Sequence, residues 1–99
     1  MDTLHKLEIL KETYADKAEF DLIVGKLLDV SLSQHRLRLQ RYERDLNEFE
    51  GRYDMESATF YRRFEAGELG DGMDFFEWAG LHELRQDIVG KIQRLERSV

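Results

Sequence analysis

The chain contains no cysteine and no proline in 99 residues. Without cysteine there can be no disulfide and no thiolate metal site, and nothing ties the protein to an oxidising compartment. Without proline no helix is forced to break internally. Long hydrophobic runs are missing too, and uncharged stretches such as Val30–Gln34 are far too short to cross a bilayer. Met1–Leu10 carries Asp2, His5, Lys6 and Glu8, which removes the apolar centre a signal peptide needs. A cytoplasmic protein without a membrane role is the expectation. Positive charge is in deficit, with 15 Lys and Arg against 21 Asp and Glu, a net charge of −6. Nucleic-acid modules show the opposite balance, because neutralising phosphates supplies most of their affinity. Nucleic acid is therefore not expected as a ligand of this chain by itself, and a basic protein is the better-matched partner.

What is present favours helix. Charged residues make up 36% of the chain, Leu, Glu and Arg are abundant, and turn residues are few outside one short stretch. The length allows a single domain, residues 1–99, with a small core. The pattern predicts an all-α fold, a helical hairpin or small bundle with a long central helix and coiled-coil-like packing. Segments 1–16 (a short helix with Leu4, Leu7 and Leu10 on one face), 17–53 (the long helix), 54–66 (a short helix capped by Asp54), 67–72 (a Gly-rich acidic turn) and 73–97 (the C-terminal helix) compose it. A bend is expected at Ala15–Lys17, and Asp71 is expected to cap the last helix with Asp74 at the capping-box position.

The clearest signal is a heptad. Leu28, Leu32, His35, Leu39, Tyr42, Leu46, Phe49 and Tyr53 alternate in steps of four and three, which keeps one side of a helix facing a partner. Phe20, Ile23, Leu27 and Val30 continue an apolar stripe displaced slightly around the axis. The seam can close within the chain, against a second copy or against another protein. A homo-oligomer held by this seam is the expectation for self-association, and a structural coiled-coil protein that only self-associates is the alternative to partner binding.

Two charged features stand out. Arg36, Arg38, Arg41 and Arg44 lie midway along the long helix, where they suit a solvated flank of the seam better than a phosphate grip. Glu65, Glu68, Asp71, Asp74 and Glu77 recur every third residue around the Gly-rich turn, uninterrupted by any base. Phe60, Tyr61, Phe64, Phe75, Phe76 and Trp78, six of the eleven aromatics, flank them. Aromatic anchors ringed by acids fit docking on a basic surface, while the same aromatics also suit a core where two helices meet. Asp71, Asp74, Glu77 and His82 lack the order of a calcium loop, and no metal or other cofactor is expected. His5, His35 and His82 are scattered, with no nucleophile elbow, phosphate loop or HExxH, so no catalytic residues are assigned and no enzyme is expected. Ala79-Gly80 offers a small surface for close helix approach.

Tyr53-Asp54-Met55, Phe60-x-x-x-Phe64, Gly67-Glu68-Leu69-Gly70-Asp71 and Glu77-Trp78 together resemble a group of small helical prokaryotic proteins, the antitoxins of toxin–antitoxin pairs. The resemblance covers about residues 53–85. It implies that the chain neutralises a small basic toxin by direct binding, with Glu68, Asp71, Asp74, Glu77 and Trp78 at or beside the contact. The N-terminal half lacks the DNA-binding element many antitoxins carry.

Overall fold

The computed structural model describes residues 2–14 and 16–99, and among them all regular structure is helical. The helices are α1 (Thr3–Thr13), α2 (Lys17–Tyr53), α3 (Ser57–Glu65) and α4 (Met73–Glu96). The expected bend at Ala15 and the start of the first segment at Met1 lie outside the described residues. Asp2 caps α1 by accepting from the His5 amide at 2.8 Å, and Asp16 caps α2 by accepting from the Ala18 amide at 2.9 Å. With 37 residues α2 is about 55 Å long. It dictates the shape, 60 × 25 × 18 Å, and a radius of gyration of 19.5 Å where a compact chain of this length would have about 13 Å.

Gly51 does not stop α2. Asp54 does, by turning into the left-handed region at φ 52°, ψ 52°. Asp54 is thus the C-cap of α2, not the N-cap of the next helix as its residue type suggested. Glu50, one turn back on α2, reaches across the corner and accepts the Ser57 amide at 2.8 Å, capping α3 from another helix. At the far end of α3, Gly67 (φ +75°) closes a Schellman motif, in which the Glu68 amide donates to Arg63 and the Gly67 amide to Phe64. The last helix starts at Gly72 without a side-chain cap. Asp71 does not fill that role, because Gly72 stands between it and the first helical residue. Asp74 is engaged elsewhere.

α4 runs antiparallel to α2, Asp74 lying beside Tyr53 at one end and Glu96 beside Arg36 toward the other. Leu32, Leu46 and Phe49 of the heptad are buried, with Leu39, Tyr42 and Tyr53 packed half-buried beside them. The seam predicted for self-association is therefore closed inside the chain by α4. The physical reason is connectivity: the segment 54–72, folded as α3 and the Gly-rich turn, tethers α4 beside α2 at a far higher effective concentration than a second copy could reach. His35 lies half-buried on the same face and bonds locally, its Nδ1 2.7 Å from the Ser31 carbonyl oxygen.

The core has two parts. Near the turns, Leu46, Phe49, Phe60, Trp78 and Ala79 are buried together under Tyr53, Phe64 and Phe75. Further along, Leu32 meets Ile88 and Ile92. Ala79 is what lets α4 sit close, whereas a Cβ built at Gly80 would meet nothing within 4 Å, so the close approach does not depend on that glycine. α1 has no buried residue, so Leu4, Leu7 and Leu10 stay in solvent, as do Leu27 and Val30 on the side of α2 turned away from the Leu28–Leu32 face.

Candidate functional site

The acidic aromatic end is built by α3, the Gly-rich turn and the first turn of α4. Its five expected contact residues separate into three kinds. Glu68, Asp71 and Glu77 are exposed. Glu68 is steadied by Arg63 Nε at 3.2 Å, a pair open to solvent and worth little in stability.

Asp74 faces inward along the surface, toward α2. Its Oδ2 accepts from the Tyr53 hydroxyl at 2.6 Å and from Arg52 Nη1 at 2.8 Å. The Tyr53 bond, then the Arg52 bond, hold its carboxyl below the usual carboxylate range. The same hydrogen bond, with some desolvation, pushes the Tyr53 hydroxyl up. Asp74 is thus a strut between α2 and α4, held through Oδ2.

Trp78 is 0% exposed. Its ring lies 3.7 Å from that of Phe60 at an interplanar angle of 4°, and it also stacks on Phe49 and Tyr53, both at 5.6 Å. Its Nε1 donates to Ser57 Oγ at 2.9 Å, a bond buried on both sides. Of the two placements the resemblance implies, at or beside a partner contact, full burial leaves Trp78 the second: a side chain enclosed by three rings and a hydroxyl is the centre of the core and presents nothing outward. The residues that do present apolar surface among the acids are Met73, 86% exposed, and Phe76, 56% exposed, with Phe76 braced edge-on by Phe64 at 5.5 Å. Phe76 was visible in the sequence as one of six aromatics. Met73 carried no signal, since only the geometry of the turn turns it outward.

A second feature lies at the opposite end of α3. A cleft of about 390 Å³ opens between α2, α3 and α4, lined by Glu43, Asn47, Glu50, Ser57, His82 and Arg85 among others. His82 is buried against the Tyr61 ring at 4.6 Å, and its Nδ1 has no hydrogen-bond partner among the described residues. Burial first, and the Arg85 charge second, push its pKa below the ordinary histidine value. Tyr61 donates to Glu83 at 2.6 Å, which with burial raises its hydroxyl to about 12. Asp71, Asp74, Glu77 and His82 do not converge, and among the described residues no three His, Asp or Glu are placed to hold a metal ion. Also among them, no helix is long and apolar enough to cross a membrane.

No family model matches this chain, and neither does any curated protein or solved structure. The functional reading therefore rests on the residues and their arrangement.

Proposed function

We propose that this chain is a non-catalytic protein-binding module of the cytoplasm, and that it acts as an antitoxin by docking its acidic tip on a small basic toxin. The observation that carries this is the exposure of Met73 and Phe76 among exposed carboxylates at Glu68, Asp71 and Glu77. Apolar anchors of this size supply contact energy, and the surrounding charge steers a basic partner in and excludes acidic ones. The net charge of −6 acts in the same direction. Trp78 and Asp74 contribute by holding the tip rigid, which lowers the ordering cost of binding.

The test is co-expression with the product of the adjacent gene, followed by purification and a growth assay. A stable complex, with growth rescued by the wild-type chain, is expected. Glu68→Lys/Asp71→Lys/Glu77→Lys should abolish rescue while circular dichroism stays unchanged, since all three side chains are exposed. Rescue undiminished by the triple variant would sink the assignment of the tip.

A further inference from the structure

We propose that Asp71–Gly72 is a modification site, at which the aspartate of the folded chain converts spontaneously, through a succinimide, to isoaspartate. It is the chain's one Asp–Gly pair, and Asn47, the lone asparagine, is followed by Glu48. The step needs a carboxyl free to fold back, a following amide nitrogen outside any hydrogen bond, and no side chain on the following residue to block the approach. At Asp71 all three conditions are met. The residue is exposed, in the stretch between the end of α3 and the start of α4. Glu68 nearby is held by Arg63, but the Asp71 carboxylate has no hydrogen bond or ion pair among the described residues. The Gly72 amide likewise donates to nothing among them. Elsewhere the fold withholds these conditions. The amide after Asp54 donates to the Glu50 carbonyl, and the amide after Asp74 to the Gly72 carbonyl. Asp21, Asp29, Asp45 and Asp87 lie inside helices and precede Leu, Val, Leu and Ile.

The Gly72 nitrogen, losing its proton, attacks the Asp71 side-chain carboxyl carbon. The new C–N bond closes the ring, and one carboxyl oxygen leaves as water. A second water reopens the ring at either carbonyl, and opening at the main-chain side leaves the backbone running through the side-chain carbon. Nothing is oxidised or reduced, and water is the only co-reactant. The fold does not itself require glycine at this place. Gly72 has φ −62°, ψ 150°, which any residue adopts, and a Cβ there would meet nothing nearer than Phe75 Cδ2 at 3.7 Å, an ordinary contact. Gly70, with φ +79°, is the glycine the turn needs. The Gly72 carbonyl accepts the Phe75 and Phe76 amides at 3.0 and 3.2 Å, so the extra main-chain carbon enters immediately ahead of α4. It changes the spacing between Glu68 and the pair Met73 and Phe76, a consequence that rests on the docking reading above, whereas the modification itself does not.

The test keeps the purified full chain in neutral buffer at physiological temperature and samples it over several weeks, with no partner present. Isoaspartate is read by methyl transfer from S-adenosylmethionine with an isoaspartyl methyltransferase, and is located by tandem mass spectrometry of the tryptic fragment 64–85. Accumulation at position 71, well above that at every other aspartate, is expected. Gly72→Ala should slow it several-fold with circular dichroism unchanged, and Asp71→Glu, whose ring would need one more atom, should lose the signal. A guanidinium-unfolded sample supplies the reference rate. A site that reacted only after local opening would be slower in the folded chain by the opening equilibrium, so a folded rate within about tenfold of the unfolded one is expected. No isoaspartate at position 71, a folded rate lower than that, or a Gly72→Ala chain that isomerises as fast as the wild type would each overturn the proposal.

Discussion

Ser57→Ala removes one oxygen atom from the surface of α3 and should cost far more than its size suggests. Ser57 Oγ accepts the indole N–H of Trp78 at 2.9 Å, and both residues are buried, Trp78 completely. Without the hydroxyl, that N–H has stacked rings around it and no acceptor. A buried donor left unpaired costs about 1–3 kcal/mol, well above the roughly 1 kcal/mol net value of an ordinary hydrogen bond. For a domain of this size each kcal/mol moves the midpoint by about 4–8 °C, so a fall of about 4–24 °C is expected. Urea and thermal unfolding followed by circular dichroism would measure it. The emission of Trp78, the only tryptophan, reports whether water has entered. Ser57→Thr retains the hydroxyl and should recover most of the loss. In the background of Trp78→Phe, which lacks the donor, Ser57→Ala should cost much less, a coupling that a double-mutant cycle isolates. A change under about 0.5 kcal/mol with unaltered emission would refute the reasoning, because it would mean that water already reaches the indole nitrogen.

Two further outcomes follow from the titrating groups. Asp74 has a carboxyl held low by Tyr53 and Arg52, so its contribution is present above the unfolded carboxylate value of about 3.9 and disappears as the pH falls through the lowered folded value. Asp74→Asn should therefore lower the unfolding midpoint at neutral pH and converge with the wild type in strong acid; parallel curves throughout would show that the strut is not formed. His82 is a base whose folded pKa is depressed by burial, so the folded chain is favoured above about 6.5 and loses that advantage as the pH falls through the lower folded value. His82→Phe, which keeps a ring against Tyr61, should flatten the stability curve on the acid side of neutrality, and an unchanged slope in urea titrations would assign the dependence to other groups.

Helix content and the long rod were legible because they depend on local periodicity. The three-four spacing from Leu28 to Tyr53 and the absence of proline act over one or two turns of chain, and the structure keeps the helix they predict. The glycines of the turn were legible for the same reason, Gly67 supplying the positive φ that ends α3. At Asp54 and Asp74 the short-range code misled because a longer-range contact competed. Asp54 reads as an N-cap, yet Glu50 on the neighbouring helix already satisfies the Ser57 amide, and Asp74 reads as a capping-box acid, yet Tyr53 and Arg52 lie within its reach.

What the sequence determined by itself, then, was that α2 must carry apolar stripes and that acids and aromatics gather around one turn. Which stripe closes inside the chain, and which aromatic is an anchor and which is core, were decided by the fold. Phe76 and Trp78 stand two residues apart in the same acidic stretch, and nothing local distinguishes them. On a helix two residues are about 200° apart, so when α4 is laid against α2 one of them must face Phe49 and Phe60 and the other must face water.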